Sequence, residues 1–196
     1  GAERMLRDAV EDQRRVLGSD DPETLVMIMN LGKLLEDEGK LAEAEREFLA
    51  VDALYSRSGA ASERAAVATQ RAQVLARLGR AAEAQRIVEA SLGVARASGP
   101  AEALNVTNAL VLLGKLALGR DDVKTATAHL AAALQQREAI LGPANPRIAE
   151  ARAELGRARL AAGARRRYRR HQLGGGGRVV GHPRASDQGL AVHVFR

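Results

Sequence analysis

Few residues in this chain have a type and spacing that could do chemistry. His129 lies in Ala126-Thr127-Ala128-His129-Leu130 with no histidine or acid at metal-ligand spacing beside it, so it reads as a solvated histidine on a helix. Lys33 and Lys115 each follow a glycine, but neither has the earlier glycine of a phosphate loop. The run Gly174–Gly177 is not followed by Lys-Ser/Thr. Asp20-Asp21 and Asp121-Asp122 lack the alternating acids and the glycine of a calcium loop; standing just before apolar-periodic stretches, they read as helix caps. Glu36-Asp37-Glu38 reads as a solvated face. Asn105-Val106-Thr107 spells a glycosylation sequon, but on a helical pattern and without a secretion signal. With no cysteine, disulfides, thiolate zinc sites, iron–sulfur clusters and cysteine nucleophiles are excluded. The expectation is therefore no catalysis, no cofactor and no metal.

One chemical feature is concentrated. The chain of 196 residues has a formal net charge of +6, yet residues 164–196 hold eight arginines against the single acid Asp187, so the remainder is close to neutral. Arg165–Arg170 would attract phosphate backbones without sequence preference. The four aromatics, Phe48, Tyr55, Tyr168 and Phe195, are too few for base-stacking platforms. Nucleic-acid binding through the Arg-rich tail is accordingly a lesser reading. No stretch approaches the roughly 20 consecutive apolar residues of a membrane span. The start, Gly1-Ala2-Glu3-Arg4, has no signal-peptide character. A cytoplasmic setting, without membrane or small-molecule substrate, is expected.

The elements that carry these residues repeat. Leu17-Gly18-Ser19-Asp20-Asp21-Pro22 returns as Leu141-Gly142-Pro143-Ala144-Asn145-Pro146. Asn30-Leu31-Gly32-Lys33-Leu34-Leu35 returns as Leu112-Leu113-Gly114-Lys115-Leu116-Ala117, and Lys40-Leu41-Ala42-Glu43-Ala44 as Arg80-Ala81-Ala82-Glu83-Ala84. Ala9, Val51, Ser91 and Ala133 fall at one site, at spacings of 42, 40 and 42. Each period holds two helices. Leu25, Ile28, Leu31 and Leu35 make an apolar stripe that Gly39 ends, and Leu41, Ala44, Phe48, Val51 and Tyr55 make the next. Small residues stand where the two helices of a hairpin cross: Gly32 with Ala44, Ala72 with Ala84, Gly114 with Ala126, and Gly156. A hairpin cannot bury both of its faces alone, but stacked hairpins can. The fold class expected is all-α, a solenoid of antiparallel helix hairpins with about three and a half repeats.

The period, the small crossing residues and the Leu-Gly-x-x-x-Pro motif resemble the tetratricopeptide repeat, in the longer form of kinesin light chain, over residues 1–163. The resemblance implies a right-handed solenoid whose first helices line a concave groove. It implies that the residue after each crossing position points into that groove: Lys33, Gln73, Lys115 and Arg157, with Asn30 and Gln70 one turn earlier. Polar and basic rungs of this kind would favour a protein or peptide partner of acidic character or with a free C-terminal carboxylate. Met29, Thr69 and Val111 would supply apolar contact between them. Similar bacterial proteins join such repeats to kinases, signalling ATPases or proteases, so a regulatory segment of a larger signalling enzyme is the alternative. Gly1–Leu17 match the second helix of a repeat, and a fragment that starts mid-repeat is expected.

Two departures stand out. Arg71 and Ser91 replace apolar residues in the second full repeat. In the fourth repeat, Ile148–Gly163 reads as a first helix, but Tyr168 takes the place of Ala44, Ala84 and Ala126, and Arg165–Arg170 follows no apolar stripe. Residues 164–196 are expected to be a basic Gly/Arg-rich tail, disordered or frame-shifted.

Overall fold

Helix starts and stops follow from side-chain chemistry at the turns. The Asp21 carboxylate accepts hydrogen bonds from the main-chain N–H groups of Glu23 (2.9 Å) and Thr24 (3.4 Å), and Pro22 occupies the first helical position. Asp122 caps a later helix through the Thr125 N–H at 3.1 Å. Between the helices of each hairpin the chain passes through one residue of positive φ: Gly39 at 78°, Gly79 at 81° and, in the third repeat, Asp121 at 64°.

The structure, a computed structural model, describes residues 1–174, with side chains through residue 168. Its α-helices are α1 (Ala2–Leu17), α2 (Pro22–Asp37), α3 (Leu41–Ser58), α4 (Ala61–Arg77), α5 (Ala81–Ala97), α6 (Ala103–Gly119), α7 (Val123–Ile140) and α8 (Pro146–Gly174). A single 3-10 turn, Pro100–Glu102, leads into α6. No strand occurs among the described residues. Each helix packs against its neighbours in sequence, and α6 also meets α4 and α8 across the repeat. The result is the expected solenoid: three complete hairpins, α2–α3, α4–α5 and α6–α7, with a lone second helix α1 before them and a lone first helix α8 after them.

The crossing positions explain the hairpin spacing. A Cβ on Gly32 would stand 2.6 Å from Phe48 Cε1, and one on Gly114 would stand 2.5 Å from Leu130 Cγ. The steric partner is thus the side chain one turn beyond Ala44 or Ala126. In the second repeat the same register pairs Ala72 with the smaller Val88, and both are fully buried. Among the described residues no atom stands within 4 Å of where a Cβ on Gly156 of α8 would lie, and no described second helix folds back on it.

The core has two parts that meet at α4. Val10, Leu25, Ile28, Leu35, Phe48, Val51, Val67 and Val74 form the first, and Ala72, Leu75, Val88, Leu110, Leu130 and Leu155 belong to the second. α6 is the central helix of the second part, and burial of each of Leu110, Leu112, Leu113 and Leu116 contributes roughly 1.5–3 kcal/mol. Pro100–Gly119 is long and apolar enough, at mean hydropathy 1.3, to pass for a membrane span by length and composition, although Glu102, Asn108 and Lys115 interrupt its apolar run. Its apolarity has a local cause, since α6 packs against α4, α5, α7 and α8.

α8 does not stop at Gly163 but runs on to Gly174. At the registers where Leu41, Ala81 and Val123 begin the other second helices, this chain has Arg165, and Tyr168 stands in place of Ala44, Ala84 and Ala126. No apolar stripe rewards a turn, and arginine and alanine are good helix formers, so the helix continues. Arg165 is ion-paired to Asp121 in the α6–α7 turn. The remainder of the expected tail, residues 175–196, lies outside the described residues.

Candidate functional site

The first helices α2, α4, α6 and α8 share one face, and the rungs expected there are distributed unevenly. Gln70, Gln73 and Lys115 come together in one pocket of about 170 Å³, with Thr69 and Val111 between them and Asn108, Arg147 and Glu150 completing the wall. Asn30 and Lys33 are exposed on α2, away from it, and Met29 packs against the first core part. Lys33 forms no ion pair with any described residue. Arg157 is exposed on α8 and does not line the pocket.

Adjacent first helices are tied across this face by acid–base and amide contacts. Glu36 is buried on α2, where it accepts from Gln73 Nε2 at 2.9 Å and from Arg77 Nη1 at 3.3 Å. Arg77 also donates to the Glu36 main-chain carbonyl at 2.7 Å. On the next step, Lys115 Nζ lies 3.3 Å from Glu154 and 3.5 Å from Glu150, and Arg157 is paired with Glu154 as well. Glu154 is buried and its Oε2 has no hydrogen-bond partner among the described residues. The cations expected to be free rungs are therefore partly committed to the array itself, Lys33 excepted.

The sequence reading missed Arg137. It lies on the second helix α7, yet its side chain is 2% exposed and reaches through to the groove. It donates to Arg147 O at 2.6 Å, Glu150 Oε2 at 2.9 Å, Asn108 Oδ1 at 2.9 Å and Thr107 Oγ1 at 3.3 Å. One side chain thus joins α6, α7 and α8. The register holds Gln13, Tyr55 and Ala95 in the earlier periods, and a cation in line with a buried alanine was the available signal. Burial pushes the Glu150 carboxyl up, but the Arg137 hydrogen bond and the nearby charges of Lys115 and Arg137 outweigh it, and the pKa is held below the usual carboxylate range.

His129 is half-buried rather than solvated; burial first, and Arg96 next, lower its pKa and favour the neutral ring. Among the described residues no group of three or more His, Asp or Glu side chains stands close enough to hold a metal ion.

The comparisons with known proteins agree with this geometry. The tetratricopeptide-repeat family model matches residues 1–23, which span α1 and the start of α2. No curated protein matches the chain by sequence. Among solved structures, one of nearly identical TPR-like repeats from Podosopora anserina, named for kinesin light chain, is 20% identical with a TM-score of 0.62, covering 88% of this chain and 82% of its own. BtubC (BKLC) from P. vanneervenii is 19% identical with a TM-score of 0.66, covering 94% of this chain and 78% of its own. The chain has the fold of a kinesin-light-chain-like tetratricopeptide solenoid.

Proposed function

We propose that the chain is a protein-interaction module without catalysis of its own, working in the cytoplasm and holding a peptide or partner helix along the face of its first helices. The observation that carries this reading is the polar pocket where Gln70, Gln73, Asn108 and Lys115 converge from two first helices. Amide side chains there offer donors and acceptors to a peptide backbone, and Val111 and Thr69 give apolar contact between them. Helices α4, α6 and α8 are already packed, so little ordering entropy is lost on the protein side.

An acidic partner is favoured by the local balance of charge. Around the third step of the array Lys115, Arg137, Arg147 and Arg157 stand against two carboxylates, Glu150 and Glu154. One incoming carboxylate would share Lys115 with these acids, and another acidic residue further along the peptide would meet Lys33, unpaired on α2. The test is a binding titration with a fluorescent acidic peptide bearing a free C-terminus. The unaltered chain should bind it more tightly than its amidated or basic counterpart. Lys33→Glu and Lys115→Gln should each weaken that preference, and no change from either would sink the acidic reading.

A second reading rests on the exposed arginines of α8, Arg166 and Arg167, which suit polyanions. Removing residues 164–196 should then abolish any salt-sensitive RNA or DNA binding of the intact chain.

A further inference from the structure

The second full repeat breaks the pattern of its neighbours at three buried registers. Ala68 stands where the flanking repeats have Ile28 and Leu110, Arg71 where they have Leu31 and Leu113, and Ser91 where they have Val51 and Ala133. All six flanking residues are buried. Ala68 is only half-buried. The volume that Ile28 and Leu110 fill in their own repeats is left open, and a pocket of about 390 Å³ occupies this part of the molecule.

The pocket lies on the side of α4 opposite the groove. Ala65 and Ala68 form its floor, and Tyr55 of α3 and Ile87 and Val94 of α5 form its walls. It sits at the seam where the two core parts meet at α4. Packing is visibly incomplete here, since Arg71 Nε is buried without an acceptor among the described residues. The rim carries no surplus charge. Arg64 is held by Asp52 at 3.0 Å, while Arg71 and Arg80 share Glu45 and Glu83 at 2.7–3.6 Å. Ser91 donates its hydroxyl to Ile87 O at 2.9 Å. The unpaired Arg71 Nε is buried beneath the surface, so an ion would find no exposed unpaired partner, whereas an apolar group would find alanine, isoleucine and valine surface.

We propose that this pocket is a docking site for a branched aliphatic side chain of a partner polypeptide, supplied from outside where the neighbouring repeats supply Ile28 and Leu110 themselves. The repeat specifies the occupant, because the same three-helix junction closes around isoleucine and leucine on either side. Apolar pockets of a few hundred Å³ with paired polar rims are ordinary anchor sites. The site is separate from the groove and does not depend on its reading.

The experiment is an amide-shift titration of the 15N-labelled full chain with N-acetyl-leucinamide, N-acetyl-alaninamide and 1-hexanol. The leucine amide should move the signals of Ala65, Ala68 and Ser91 in a saturable way, the alanine amide should not, and Ala68→Leu should remove the response. Ser91→Val is a second filling variant, and if neither folds the leucine–alanine contrast on the unaltered chain decides alone. The proposal is overturned by an absent or non-saturable response, by equal response to both amides, by persistence in a folded filling variant, or by saturation with hexanol but not with the leucine amide.

Discussion

Three crossing pairs in this chain carry out one packing rule with different volumes. Gly32 faces Phe48 and Gly114 faces Leu130, each too close for a Cβ, while Ala72 is accommodated opposite the smaller Val88. Gly114→Ala should therefore cost about 1–3 kcal/mol by overpacking. Adding Leu130→Val should recover much of that loss, because the double variant reproduces the Ala72–Val88 pair. Chemical denaturation of the two variants checks this, and additivity of their costs would count against the rule. The small residues themselves were legible in the sequence from their spacing. The atoms nearest a Cβ at Gly32 or Gly114 belong to Phe48 and Leu130, one helical turn beyond the alanines first paired with them, because the side chain and not the Cα decides the contact. Sequence period alone does not resolve that difference.

Among the elements, α8 depends on a clasp that periodicity could not reveal. Helix positions and the turns at Asp21, Gly39 and Asp122 were legible because caps and left-handed residues mark them locally. Arg137 was not, since its worth comes from Thr107, Asn108, Arg147 and Glu150 on two other helices. Arg137→Ala should cost about 2 kcal/mol, chiefly in orphaned polar partners. Hydrogen exchange should then quicken in residues 146–158 while α2 and α3 keep their protection. Acid should act at the same place. The folded pKa of Glu150 lies below its ordinary value of 4.5, so its ionised form stabilises the fold above the ordinary carboxylate range. That contribution is lost as the pH falls through the lowered value. Exchange at α8 should rise over that acid interval, and Glu150→Gln should remove its pH dependence.

At the scale of the molecule, stacked hairpins divide the first and second helices onto two surfaces, and each surface is set by a different class of deviation from the repeat. Of the polar residues expected on the first-helix face, Gln70, Gln73 and Lys115 converge in one pocket. Arg157 and Lys33 stand apart, because charge pairing along α6–α8 and the distance from α2 are properties of the assembled array. The opposite surface depends on what the second repeat lacks, at Ala68, Arg71 and Ser91. The central claim is that the first-helix face holds a peptide. The most direct measurement is to select peptides from a random displayed library against the full chain and map the best binder by 15N amide shifts. The account predicts shifts at Gln70, Gln73, Asn108 and Lys115, with the binder rich in acidic residues. A binder whose shifts are confined to α3, α5 and α7, or a selection that yields none, would contradict it.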